Sequence, residues 1–438
     1  MDLFRIIAAC SRENLFRQMP GVIRRHMSDD KQCFCIHDGL PYWPQHKAFV
    51  ARDHTAPMFH HIHSCKAQEA PLIIGIPREI KTHEYRVALT PAAVARLVED
   101  GHRVVVESAA GAGAGFADAD YLQAGAEIVA AGNEVYQRAD LIVKVKEPLE
   151  EECRQLRPGQ ILFAYLHLAA NPLQLKLLRQ SGATCIAFET QVDAQGGLPL
   201  LQPMSEIAGH LAVQAGAVQL QRENGGRGVL LGGVSGVAPA KVVVIGGGNV
   251  GVSAARIAVG IGAKVTVLDS APRKIADLDV LFGDQARCLL SSEQVIAEQV
   301  ANADLVIGAV LVKGDKAPQV LTRRHLQGMP EGAVFVDVAI DQGGCCETSR
   351  PTTYEEPTYV EEGVIHYCVG NMPAAVPRTA SQALSAAVLP YVRDLAAVTD
   401  IDSLTAAESP FASGVNIHRG EVTDPAVKAL VARDSRFQ

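Results

Sequence analysis

The stretch VVVIGGGNVGVSAARIAVGIGAKVTVLD, residues 242–269, decides the fold. An apolar β-run enters Gly246-Gly247-Gly248-Asn249-Val250-Gly251, and a run with helical spacing leaves it. This is a G-x-G-x-x-G pattern set between a strand and a helix. Its glycines have separate tasks: a tight turn at Gly246, close backbone approach to a pyrophosphate at Gly248, and tight helix-on-sheet packing at Gly251. The helix start then offers free N–H groups and a positive dipole end to phosphates. The next strand ends in Asp269, whose carboxylate is placed to accept hydrogen bonds from an adenosine ribose and would repel a 2′-phosphate. NAD is therefore favoured over NADP, although Lys274, just beyond, would tolerate some phosphate.

Working outward, the same alternation continues on both sides. Downstream, strand-like runs recur at 304–310 (DLVIGAV), 333–340 (AVFVDVAI) and 364–370 (VIHYCVG). Upstream they lie at 72–76 (LIIGI), 103–107 (RVVVE), 141–146 (LIVKVK), 161–168 (ILFAYLHL) and 184–188 (TCIAF). Thr90 reads as the cap of a helix with Pro91 in its first turn. Long Ala-rich helices are expected from about Ser205 to Asn224 and from Arg378 to Val398, and the glycine-dense stretch 225–240 reads as a loop. Short, near-continuous apolar strands separated by amphipathic helices are what parallel sheets covered on both faces require. The expected fold is α/β: two Rossmann-like doubly wound domains, the substrate domain discontinuous and the nucleotide domain inserted into it. The expected boundaries are 71–203 with 378–438 for the first and 204–377 for the second.

Bulk properties narrow the function classes. The chain has 438 residues, 48% hydrophobic and 20% charged, a globular composition. Its net charge of -8 shows no basic stripe of the kind nucleic acid partners need. The longest uncharged apolar stretches, 228–240 and 242–255, fall short of the roughly 18 residues of a membrane helix. Ten irregularly spaced cysteines, several inside apolar runs, read as free thiols in a reducing cytoplasm. Residues 1–70 show no alternation. They are expected to be a poorly ordered extension or an upstream start, so that a chain beginning near Leu72 would fold and function. A targeting role for the arginine-bearing first 27 residues and a metal role for Cys33, Cys35, His63 and Cys65 are weaker readings, because neither pattern is standard.

Dinucleotide binding names no reaction. The segments IGIPREIKTHEYRVALTP, VKVKEP, AYLHLAAN, PLLQPMSEIAGHLAVQAGA, VLVKGDKAP, VDVAIDQGGCCETSRPTTY and CVGNMPAAVPRT together resemble the alanine dehydrogenase family, in order, from Ile73 to about Ala396. The resemblance implies hydride transfer between L-alanine and NAD, giving pyruvate and ammonium. It implies that Arg86 clamps the substrate carboxylate, that Lys146 contacts the reacting end, and that His167 and Asp341 are the acid/base pair. It places Ser205, Asp269, Lys274, Ser291, Val310, Leu311, Val338, Ala339, Ile340, Asp341, Asn371 and Met372 around the cofactor, with Gly246, Gly248 and Gly251. Gly370 stands where the family usually has alanine. The family is typically hexameric, and a homo-oligomer is expected here. No metal is required.

The chemistry asks for these residue types. Arginine holds a carboxylate bidentately and so fixes its orientation. A cation near the substrate oxygen stabilises developing negative charge. Water addition to an iminium and loss of ammonia both move protons, which calls for titratable groups. Singly, the four residues read otherwise: Arg86 as a surface arginine, Lys146 as a solvated strand end, His167 as a satisfied core histidine and Asp341 as a strand exit. Cys345 and Cys346 read as packing residues. The rival readings are the NAD-binding subunit of a proton-translocating transhydrogenase, which needs no amino-acid pocket, a dehydrogenase of larger amino acids, and a catalytically dead NAD sensor. The intact LHLAA histidine motif argues against the first.

Overall fold

The computed structural model describes residues 72–310 and 316–437. The readings of residues 1–70, and of Leu311 at the cofactor, lie outside these. Among the described residues six strands come first: β1 (Ile73–Ile76), β2 (Arg103–Glu107), β3 (Glu127–Val129), β4 (Leu141–Val143), β5 (Ile161–Ala164) and β6 (Thr184–Ala187). Seven follow: β7 (Lys241–Ile245), β8 (Lys264–Asp269), β9 (Ala286–Leu290), β10 (Leu305–Gly308), β11 (Val334–Asp337), β12 (Thr358–Glu361) and β13 (Val364–Tyr367). Near the end come β14 (Val415–His418) and β15 (Glu421–Val422).

Two sheets result, with strand orders β15-β14-β6-β5-β4-β1-β2-β3 and β12-β13-β11-β10-β7-β8-β9. All pairs from β1 to β6, and all in the second sheet except β12–β13, are parallel. Their strands are buried along almost their whole length, which is why they read as continuous apolar runs rather than alternating ones. Both sheets are doubly wound, and in both the order reverses beside the first strand, β1 or β7. The chain leaves the first sheet after β6, builds the whole second sheet, and returns to add β14 antiparallel to β6. The first layer is thus discontinuous and the second inserted, as expected.

Two helices carry the chain across. The Gln202–Gln219 helix gives Met204 and Ile207 to the first core and Ala212 and Val213 to the second. The Pro377–Ala396 helix returns, burying Ala380, Leu384, Val388, Val392 and Leu395 in the first core. The expected Ser205–Asn224 helix therefore starts earlier and stops sooner, its last residues forming a separate 3-10 turn at Arg222–Asn224.

Several strands also end sooner than their apolar runs. The run 161–168 is strand only to Ala164, because the Glu189 carboxylate accepts from the Leu166 and His167 N–H groups in place of a neighbouring strand. The run 333–340 stops at Asp337, whose side chain accepts from Ala339 N at 3.0 Å and starts a 3-10 turn, Val338–Gln342. Thr90 precedes the Pro91–Glu99 helix but does not cap it with its side chain; its hydroxyl lies 3.2 Å from Ser385 Oγ and ties the turn to the returning helix. Among the described residues, six cysteines are free and buried, and no helix is long and apolar enough to cross a membrane.

Candidate active site

In an open parallel sheet, ligands bind beyond the carboxyl ends of the strands, where the order reverses. The loop after β1 carries Arg86, the segment after β4 carries Lys146, and the turn after β5 carries His167. From the second sheet, Gly246 follows β7, Asp269 ends β8, Ser291 follows β9, Val310 follows β10, Val338 to Asp341 follow β11, and Asn371 and Met372 follow β13. All sit at strand carboxyl ends.

Arg86 is no surface arginine; it is 2% exposed. Its Nε and Nη2 donate to the two oxygens of Glu84 at 2.7 and 2.5 Å, and Nη2 also donates to Asn371 Oδ1 at 2.7 Å. Among the described residues Nη1 donates only to Met204 Sδ, at 3.1 Å. A thioether is a weak acceptor, so Nη1 is the donor left for a better partner. Burial works to raise the Glu84 pKa, but the hydrogen bonds and charge of Arg86 outweigh it and hold the carboxyl below its ordinary value. Sequence reasoning missed Glu84. Its only signal is its place two residues before the arginine.

Asn371 joins the two sheets. Its backbone is left-handed (φ 54°), its Nδ2 donates to Glu84 Oε2 at 3.0 Å, and its N–H donates to both oxygens of Asp341, at 3.1 and 3.2 Å. A Cβ on Gly370 would stand 2.9 Å from Asp341 Oδ1, so the glycine leaves that carboxylate more room while the Asn371 contact stays in place. Arg86, Glu84, Asn371 and Asp341 form one hydrogen-bonded chain from the first sheet to the second.

His167 is no core histidine either. Its side chain is 44% exposed and its backbone is left-handed (φ 48°). Such a conformation costs a side-chain-bearing residue free energy and persists only where neighbours impose it. Here Glu189 does so, accepting from His167 N at 2.6 Å, and Tyr165 stacks on the ring at 5.8 Å between centroids. The Glu189 carboxylate also lies 3.8 Å from His167 Nδ1. Tyr165 is buried, which pushes its phenol pKa up against the lowering charge of Arg86 nearby. Lys146 is largely buried, with Nζ 3.5 Å from Glu147 Oε2.

On the second sheet, Gly246 has φ 106° and a Cβ there would strike Ala309 O at 2.4 Å, while one on Gly251 would lie 1.8 Å from Gly246 O. Only glycine fits either position. A Cβ on Gly248 would meet no atom of the described residues within 4 Å. That open space faces the first turn of the Asn249–Ile261 helix, whose leading N–H groups have no intrahelical acceptor and whose cap residue carries no side chain to supply one. Asp269 accepts from Gly247 N at 2.8 Å and Ala271 N at 2.9 Å, and its carbonyl accepts from Ser291 N at 2.8 Å. Lys274 and Val310 flank the loop, with Lys274 Cγ near Gly247 and Val310 N near Gly246. Ser205 lies one turn before Gly209, where the helix presses on Val250 O of the glycine-loop helix. These residues fit a nucleotide whose phosphates lie at Gly248.

Two family models account for this arrangement. Residues 75–208 match the alanine dehydrogenase/PNT N-terminal domain and residues 212–425 the alanine dehydrogenase/PNT C-terminal domain. The chain belongs to the alanine dehydrogenase/PNT family. It is 54% identical to an alanine dehydrogenase from Halomonas elongata over 354 residues, which cover 81% of this chain and 95% of that protein. To the alanine dehydrogenase of Bacillus subtilis it is 48% identical over 368 residues, 84% of this chain and 96% of the relative. A solved L-alanine dehydrogenase superposes with a TM-score of 0.79 at 48% identity, over 82% of this chain and 99% of that one. A transhydrogenase from Sinorhizobium meliloti superposes with 0.69 at 26% identity, over 81% and 99%. The fold is common to both kinds of protein, and the sequence lies much nearer to the alanine dehydrogenases.

Proposed function

We propose that the chain is an NAD-dependent alanine dehydrogenase, interconverting L-alanine and pyruvate with ammonium. The observation that carries the reading is the chain Arg86–Asn371–Asp341, which runs from a carboxylate-binding cation to the nucleotide-side loop. Its relatives at about half identity bear the same activity in their names.

Arg86 receives the alanine carboxylate through Nη1, replacing the weak sulfur contact, while Glu84 and Asn371 hold the rest of the guanidinium still. Lys146 lies at the reacting end, where its ammonium polarises the pyruvate carbonyl in the reverse direction. Gly246–Gly251 would hold the pyrophosphate of NAD and Asp269 its ribose, and the cofactor would supply the acceptor for the hydride that leaves the alanine α-carbon. Loss of that hydride leaves an iminium; water adds to its carbon, and the carbinolamine expels ammonia. His167 and Asp341 move the protons of these two steps. Orientation supplies much of the rate, since the reacting atoms must stand about 3–3.5 Å apart.

The substrate domain is residues 71–203 with 378–438, and the nucleotide domain is 204–377, its first helix turn lending Met204 and Ile207 to the substrate-domain core. The protein works in the cytoplasm as a homo-oligomer, a hexamer as in its family. Leu230, Val234 and Val237, exposed on the glycine-dense loop, supply apolar surface for assembly. Light scattering on the purified protein measures the oligomer.

The direct test follows NADH absorbance with alanine, serine, glycine and 2-aminobutyrate. Alanine oxidation releases a proton, so raising the pH moves the equilibrium toward pyruvate. A protein that makes no NADH from alanine, or whose equilibrium ignores pH, is not an alanine dehydrogenase.

A further inference from the structure

Just behind Lys146 lies a buried charge cluster that the reaction does not use. Lys144, 1% exposed, spends all three donors of its ammonium: on Glu79 Oε2 at 3.0 Å, on Glu152 Oε2 at 3.3 Å and on the backbone carbonyl of Lys146 at 3.1 Å. Glu79 Oε1 accepts from Val145 N at 2.6 Å and more weakly from Lys146 N at 3.4 Å. Glu152 accepts from Leu149 N at 2.8 Å and from the Tyr136 hydroxyl at 3.0 Å. Burial disfavours the Lys144 charge, but the two carboxylates outweigh it and raise its pKa.

Buried ion clusters of this kind are a poor source of stability, because desolvation offsets most of the attraction, and apolar residues of similar volume usually serve as well. What the cluster does achieve is local. It takes the Lys146 segment by its N–H side with Glu79, by its carbonyl with Lys144, and closes the turn that follows with Glu152. The segment has just left β4; its backbone still pairs with the β5 run, Lys144 N donating to Phe163 O at 3.2 Å and Tyr165 N to Val145 O at 3.0 Å, and Glu79 and Lys144 take hold of it from there.

We infer that Lys144, Glu79 and Glu152 are positioning residues that fix the backbone of Lys146 and so aim its ammonium at the substrate. The inference rests on the role proposed above for Lys146. A cluster satisfied in every donor holds the segment in one geometry, and a site of this kind tolerates only about 0.5 Å of error. Glu79→Gln is the chosen change, since glutamine is of the same size but has one acceptor oxygen where Lys144 and Val145 claim one each.

The experiment is a double-mutant cycle on kcat/KM for pyruvate in the full chain, with Glu79→Gln, Lys146→Ala and the pair, and NADH affinity measured by its fluorescence. Glu79→Gln alone is expected to lower kcat/KM for pyruvate at least fivefold with NADH affinity unchanged. In the Lys146→Ala background it is expected to cost nothing more, because the group it aims is gone. Glu152→Gln, which keeps an acceptor for Leu149 N, is expected to behave alike but more weakly. Losses that add in the double variant, an equal fall in NADH affinity, or an unaltered Glu79→Gln enzyme would overturn the inference. If Lys146→Ala itself leaves kcat/KM for pyruvate intact, the role of Lys146 fails first, and the positioning inference falls with it. The single variants tell the two failures apart.

Discussion

The two sheets share one strand order, yet the loops at corresponding places differ in kind. After β7 the chain runs Gly246-Gly247-Gly248, with nothing to fill the space at Gly248. After β1 it runs through Arg78, Glu79, Glu84 and Arg86, the last three buried and hydrogen-bonded. After β10 come Ala309 and Val310, whereas after β4 come Lys144, Lys146 and Glu147. The same topology thus makes one edge of bare glycine backbone and another lined with buried, mutually hydrogen-bonded charged side chains. The difference teaches that topology supplies the place and loop chemistry supplies the ligand. It also teaches that side-chain grips need buried supports, which a glycine loop does not.

The sharpest way to break this comparison is at His167, on the first sheet. His167→Ala is expected to lower turnover by roughly a hundredfold to ten-thousandfold, the span for a general acid–base group, while NADH binding at the second sheet is unchanged. A folded variant with near-normal turnover would remove the histidine from the chemistry. Arg86→Ala should cost about 2–5 kcal/mol in kcat/KM for pyruvate, the worth of a charge-assisted contact to a carboxylate. It also strands Glu84 as a buried charge, so its melting temperature should fall with its activity; an unaltered pyruvate KM would rule out the clamp.

On the second sheet the expected effect is smaller. Asp269→Ala removes the ribose acceptor and the anchor of Gly247 N, so the preference for NAD over NADP should fall by about one to two orders of magnitude, as for one or two hydrogen bonds to a charged group. An unchanged preference, read from the kcat/KM of each cofactor, would place cofactor choice elsewhere. The smallest effect concerns a support. Burial raises the Glu147 pKa, but the charge of Lys146 and the hydrogen bond and charge of Lys81 outweigh it and hold the pKa at about 2. A depressed carboxylate pKa stabilises the fold fully above its unfolded value of 4.5 and loses that contribution as the pH falls toward 2. Glu147→Gln should therefore make the fall in melting temperature across that window shallower than in the parent protein. Equal acid slopes in both proteins would show the pairing to be unimportant.

Read from sequence alone, the central strands of both sheets and the glycine loop were legible because each leaves a local trace. Parallel buried strands are continuous apolar runs, and a phosphate loop needs glycines at fixed spacing. Strands β3, β9, β12, β14 and β15 were not picked out. They lie at or near sheet edges and are short or partly exposed, so their apolar signal is weak. The environment of single residues was misread one by one. Arg86 and His167 exchange the surroundings their residue types suggest, the arginine buried by Glu84 and the histidine turned out by Glu189.

Residues 242–269, with the apolar runs around them, were enough to establish a doubly wound α/β chain with a nucleotide loop, since strand, turn and helix there depend on neighbours in sequence. Which groups support the site was decided only when distant segments met. Glu189 reaches back to His167, Asn371 reaches across to Arg86, and Glu152 closes on Lys144. No local pattern records such pairings, because a buried charge is stabilised by whichever partner the fold brings within hydrogen-bond range, however far away it lies in the chain.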